Sequence, residues 1–61
     1  MDSELLTVPE AAALLRLRPS TIRAWINQRK KIAFVRVGRL VRIRRSDVEA
    51  YIASQVVPAR G

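Results

Sequence analysis

The sequence predicts a small α+β fold with element order α-α-β-β-α, and three observations predict it. Apolar residues recur at helical spacing over residues 8–15 and again over 22–26. From residue 33 to residue 44 the period changes to two, which is the mark of strands. Ser46-Asp47-Val48-Glu49 then has the form of a capping box that opens a third helix. The 61 residues read as one domain, 1–61, with an ordered core over about 5–55 and a frayed tail over 56–61. That length is near the lower limit at which a single hydrophobic core suffices.

Residues 1–6 read as a short lead-in. Thr7-Val8-Pro9-Glu10 starts the first helix: Thr7 can cap it, Pro9 is tolerated in its first turn, and Glu10 completes a capping box. Val8, Ala11, Ala12 and Leu15 form its apolar stripe, and the alanines let a second helix come close. Arg16-Leu17-Arg18-Pro19 breaks the helix, with Leu17 expected to plug the turn. The second helix runs from Pro19 or Ser20 to about Arg29. Ile22, Trp25 and Ile26 form its inner stripe, while Ser20, Thr21, Arg23, Ala24, Asn27 and Gln28 form its outer face. Trp25 and, later, Tyr51 are read as core residues rather than stacking platforms.

Arg29-Lys30-Lys31 is a basic connector to the strands. In the hairpin, a register with Val37 opposite Val41 would put Val35, Val37, Val41 and Ile43 on one face. Phe34, Arg36, Arg42 and Arg44 would then share the other. That clean division favours a three-residue loop, Gly38-Arg39-Leu40, with Gly38 at positive φ. In the third helix, Val48, Tyr51 and Ile52 form the expected inner stripe.

Charge is distributed as sharply as hydrophobicity. Net charge is +7, yet residues 1–15 hold three acids and no base, and residues 16–45 hold eleven bases and no acid. Like charges at that density repel one another, so a polyanionic partner accounts for them better than solvation alone. Ten of the twelve bases are arginine, whose fork suits phosphates and guanine edges. The chain has no cysteine and no histidine, which excludes disulfides, Cys/His zinc sites and histidine catalysis. The acids are accounted for by caps and helix starts, so no carboxylate pair is left for acid–base work. There is no glycine-rich phosphate loop, signal peptide or membrane-spanning stretch. The expectation is therefore no enzyme, no metal, no cofactor and no small-molecule ligand, in a cytoplasmic protein.

Two helices joined by a short turn, the second with a polar and basic outer face, make a helix-turn-helix; a basic hairpin beside it makes a wing. A ten-residue helix is about 15 Å long and fits a major groove about 12 Å wide. The hydroxyls of Ser20 and Thr21 and the amides of the helix start suit phosphate. Arg23 can reach a guanine edge or a phosphate, and Asn27 and Gln28 have the amide geometry that pairs with adenine. At the wing tip, Gly38 and Arg39 project one guanidinium, which the potential of a narrow minor groove attracts. Arg36, Arg42 and Arg44 can track phosphates behind it. Arg16, Arg18 and Lys30 are further phosphate candidates, or simply solvated charges. A hairpin guarded by charges against aggregation is the plainer reading of the wing, though lysine would serve that purpose equally.

Thr7-Val8-Pro9-Glu10-Ala11-Ala12-Ala13-Leu14-Leu15, Ser20-Thr21-Ile22-Arg23-Ala24-Trp25-Ile26, Val37-Gly38-Arg39 and Arg42-Ile43-Arg44-Arg45-Ser46-Asp47-Val48 together resemble the excisionase family. These are phage and plasmid recombination directionality factors, related to the DNA-binding domains of MerR-type regulators. The resemblance covers about residues 5–53. It implies roles for Ser20, Thr21, Arg23, Ala24 and Asn27 in the major groove and for Arg39 in the minor groove. Some relatives carry arginine where Ala24 stands, a frequent glycine where Arg16 stands and a frequent serine cap where Arg18 stands. The glycine often found in the connector is also missing. The implied mechanism is architectural: binding to repeated sites, with head-to-tail self-association, bends the DNA and turns an integrase towards excision. The implied setting is a bacterial or phage-encoded, nucleoid-associated protein. A stand-alone MerR-like transcriptional regulator would use the same contacts, and a basic RNA-binding or protein-interaction module is the reading of another class.

Overall fold

The computed structural model describes residues 4–59, and its first departure from the sequence pattern comes before the first helix. Leu5–Leu6 is a strand, β1. It is followed by α1 (Val8–Leu15), α2 (Pro19–Gln28), β2 (Val35–Val37), β3 (Leu40–Arg44) and α3 (Arg45–Ser54). The order is therefore β-α-α-β-β-α rather than α-α-β-β-α. The sheet is antiparallel with strand order β1-β3-β2. Leu5 pairs with Arg44 and Leu6 with Ile43, and the Arg45 N–H extends the ladder to the Glu4 carbonyl at 2.8 Å. A two-residue strand has no period to detect, and its partner lies at the far end of the chain, so the lead-in carried no local signal.

The start of α1 follows the sequence closely. The Glu10 N–H donates to Thr7 Oγ1 at 3.2 Å, and the Thr7 N–H donates to Glu10 Oε1 at 2.8 Å, closing the capping box. The bond from the Thr7 backbone N–H, with that of its side chain, holds the Glu10 carboxyl below its ordinary pKa. On its inner side α1 buries Val8, Ala11 and Ala12, and the fully buried Ile22 of α2 packs into the same cluster. Alanine's small side chain is what permits that approach.

Both helices end without glycine. The Arg16 N–H donates to the Ala13 carbonyl at 3.2 Å and the Leu17 N–H to the Ala12 carbonyl at 2.9 Å. This is a Schellman closure, and Arg16 adopts φ 56°, ψ 41° at its left-handed position. At the end of α2 the pattern repeats: Arg29 N–H to Ile26 and Lys30 N–H to Trp25, with Arg29 at φ 55°. Next, the Ile32 N–H donates to the Lys30 carbonyl at 2.8 Å across Lys31 at φ 75°, a γ-turn of the rarer, positive-φ kind. Ile32 itself is buried and anchors the connector. Leu17, expected to plug the first turn, is exposed. The turn holds it by its backbone bond to Ala12 rather than by its side chain.

The hairpin register also differs from expectation. Val37 pairs with Leu40, Arg36 with Val41 and Val35 with Arg42, so the turn has two residues, Gly38-Arg39. Gly38 has φ 61° while Arg39 has no positive φ, the pattern of a II′ turn, which suits the right-handed twist of the strands. An added Cβ at Gly38 would meet nothing within 4 Å, so glycine is needed there for conformation and not for space. With this register, Phe34, Arg36, Val41 and Ile43 share the core-side face, and Val35, Val37, Leu40, Arg42 and Arg44 share the outer one. Val37 and Leu40 are accordingly 46% and 55% exposed. A tidy apolar face matters only where a hairpin lies over the core. Here the Ile43 end does, while the tip projects past it, leaving turn geometry to set the register.

α3 begins earlier than its predicted box. Arg44 is the N-cap, and its guanidinium donates two 2.8 Å bonds to the Asp47 carboxylate; that hydrogen bonding, and then the Asp47 charge, raise the Arg44 pKa. Val48 is fully buried, and half-buried Tyr51 meets Trp25 with ring centroids 5.2 Å apart at 47°. Ile52, expected on the inner stripe, is 46% exposed, because the inner contact of α3 is spent around Val48 and Tyr51. Residues 56–59 carry no helix or strand; Asp2 and the tail positions 60 and 61 lie outside the described residues. Among the described residues, buried side chains come from β1, α1, α2, the connector, β3 and α3, but none from β2. β2 and the tip of β3 thus form a wing on a three-helix core. No helix among the described residues is long and apolar enough to cross a membrane.

Candidate nucleic-acid interface

Pro19 opens α2 without an N–H to leave unsatisfied, and Ile22 and Ile26 fix which side turns inward. The opposite side then presents Ser20, Arg23, Ala24 and Asn27 in one row at helical spacing, with Gln28 beside them; all five are exposed, and Thr21 is half-buried. The Thr21 N–H already donates to the Arg18 carbonyl at 3.0 Å. The amide contribution at this helix start therefore narrows to Ser20.

Arg23 and Asn27 border a cleft of about 240 Å³ whose other walls are Val8, Ile26 and Val41. Val41 belongs to β3, so the outer face of α2 runs directly into the base of the wing. The register places Arg36 opposite Val41, on that same side of the ribbon. Arg39 stands exposed at the tip. Nothing in the sequence pattern singled out Val8 or Val41 as walls of this cleft, because it forms between elements distant along the chain.

The three arginines expected to track phosphates together behind the tip are divided between two faces. Arg36 faces the α2 side, whereas Arg42 and Arg44 lie on the outer face. The Arg42 Nη1 donates to the Val41 carbonyl at 2.8 Å, which fixes the guanidinium against the ribbon. Arg44 is held by Asp47, and Arg45 donates to Glu4 at 2.9 Å. The three-residue-loop register is what had grouped Arg36 with Arg42 and Arg44.

Arg16 and Arg18 are exposed just before α2, and Lys30 is exposed just after it. Two bases with unusual backbones, Arg29 and Lys31, were passed over as connector. The missing glycine after α2 was the only sequence signal for them. The acids are elsewhere: Glu4 and Glu10 border a different groove, of about 300 Å³, with Leu6, Ala13, Leu14 and Arg45. No acid borders the cleft between α2 and the wing, although Glu10 feels the charge of Arg42. Among the described residues no cluster of His, Cys, Asp or Glu could hold a metal ion.

A family model described as a helix-turn-helix domain matches residues 5–56, which takes in all six elements. No curated protein and no solved structure matches the chain. A helix-turn-helix domain suggests DNA as the partner, and such domains are typically without catalytic activity.

Proposed function

The chain belongs to the helix-turn-helix domain family, and on that footing we propose that it reads duplex DNA by sequence, with α2 in the major groove and the wing tip in the neighbouring minor groove. The observation that carries this reading is the shared cleft. The polar face of α2 meets the wing strand across Arg23, Asn27 and Val41, inside a segment of thirty residues without an acid. Arg23 reaches a guanine edge or phosphate, and Asn27 and Gln28 pair with adenine. Ser20 and Thr21 hold backbone, Ala24 allows close approach, and Arg39 enters an A·T-rich minor groove. Arg36 and Arg42 flank the tip, while Arg16, Arg18 and Lys30 supply backbone charge; Arg44 is engaged by Asp47 instead.

The finer reading is a recombination directionality factor, supported by the excisionase-like strings quoted above. One such module buries about 600–1,000 Å² on DNA, a modest interface. Neighbouring copies on repeated sites, self-associating head to tail, would supply the rest of the specificity and bend the site for an integrase.

Mobility shift on duplex DNA against single-stranded RNA tests the first step. Arg39→Ala is expected to weaken duplex binding about tenfold, or about 1.4 kcal/mol, chiefly at A·T-rich positions. Asn27→Ala is expected to lose about 1–3 kcal/mol of discrimination at one base pair. Equal or tighter binding to the RNA would end the duplex reading. An excision assay with a cognate integrase tests the second step. Repression of a nearby promoter without stimulated excision would replace the recombination role with that of a small regulator.

A further inference from the structure

Three residues other than glycine have positive φ among those described, and all three are basic: Arg16 at 56°, Arg29 at 55° and Lys31 at 75°. Backbone in this region strains a residue with a Cβ. Glycine, which is nearly free of that strain, is the usual occupant of a Schellman position. All three side chains are exposed, and none is in the ion pairs that hold Arg44 and Arg45. Internal packing therefore does not explain them. Their places in the chain suggest what does. Arg16 lies just before α2, and Arg29 and Lys31 lie just after it. A helix in the major groove lies between two sugar–phosphate walls, so the residues that flank its ends come next to DNA backbone.

We propose that Arg29 and Lys31 bind DNA phosphates on one wall of the groove that α2 enters, as Arg16 does on the other, and that the left-handed backbone is kept because it aims these bases at the walls. The inference rests on the duplex-DNA reading above and extends the interface to two residues outside it. A cation near a helix C-terminus also interacts well with the helix dipole, which is a purely structural reason for Arg16 and Arg29. It does not extend to Lys31, which lies beyond the helix in the γ-turn.

The test uses a duplex selected from a random pool by the wild-type protein. Affinity is measured across a salt series for Arg29→Gly and Lys31→Gly, alongside thermal unfolding. Glycine relieves the backbone, so the unfolding midpoint is expected to hold or rise. Affinity is expected to fall about threefold to tenfold, and the slope of log K against log salt to become shallower by about 0.9 per variant. Arg29→Asn and Lys31→Asn repeat the test with the other residue that tolerates this backbone. Unchanged affinity and slope in both pairs would overturn the proposal. A loss of affinity at an unchanged slope would also overturn it, since that traces to turn shape and not to phosphate charge. Failure of the wild-type protein to select or bind any duplex would instead remove the underlying DNA reading.

Discussion

Replacing Ile22 with alanine is expected to lower the unfolding free energy by about 2–5 kcal/mol, enough to leave much of the protein unfolded at 37 °C. Ile22 is fully buried at the junction of α1 and α2, beside Ala11 and Ala12. Those neighbours are already small and sit on a capped helix, so they cannot swell to fill the cavity. A core of this size rarely supplies more than about 3–5 kcal/mol in total, so one such cavity removes most of it. Ile52→Ala is the matched comparison. Ile52 is 46% exposed, and its loss is expected to cost less than about 1 kcal/mol. Thermal unfolding followed by circular dichroism separates the two. Equal losses would mean that α3 packs its Ile52 side inward after all. Duplex binding should fall with the folded fraction in Ile22→Ala, because α2 both carries Ile22 into the core and is the proposed reading element.

Raising salt from about 50 to about 200 mM is expected to weaken duplex binding about a thousandfold, a slope near −5 for about six phosphate contacts. Of the eleven bases in residues 16–45, Arg44 and Arg45 are held by Asp47 and Glu4, which leaves nine. Some of these face base edges or the minor groove, so about six backbone contacts is the natural expectation. The two held arginines make an internal control. Arg45→Ala should leave the slope nearly unchanged, whereas Arg16→Ala should make it shallower by about 0.9. A titration of affinity against salt gives both numbers, and a slope near zero for the wild-type protein would refute an electrostatic interface.

Much of the framework was written locally. The Thr7–Glu10 box fixed the start of α1 because its two hydrogen bonds span only three residues. The inner stripes of α1 and α2 followed from helical spacing, and the candidate reading face followed as what remained outside. The basic middle was likewise visible, since charge needs no fold to be counted. Where sequence reasoning failed, it assumed that apolar residues settle strand faces. At the wing they do not: Val37 and Leu40 stand exposed, and the II′ turn at Gly38-Arg39 dictates the pairing. A glycine in the first position of a two-residue turn was the signal that should have prevailed over the apolar pattern.

What the sequence by itself determined is therefore what short-range hydrogen bonds and helical period carry: α1 with its Thr7–Glu10 cap, α2, and a basic segment free of acids. The tertiary structure decided the rest. β1 exists only because Leu5–Leu6 finds β3, and a pair of residues has no period of its own. The wing register, the split of Arg36 from Arg42 and Arg44, and the cleft joining Arg23 and Asn27 to Val41 are long-range outcomes. So is the pairing of Arg45 with Glu4, 41 residues away, whereas Arg44 meets Asp47 only three residues on. The left-handed turns at Arg16, Arg29 and Lys31 belong here too. Local preference asks for glycine at such turns, and basic residues stand there instead.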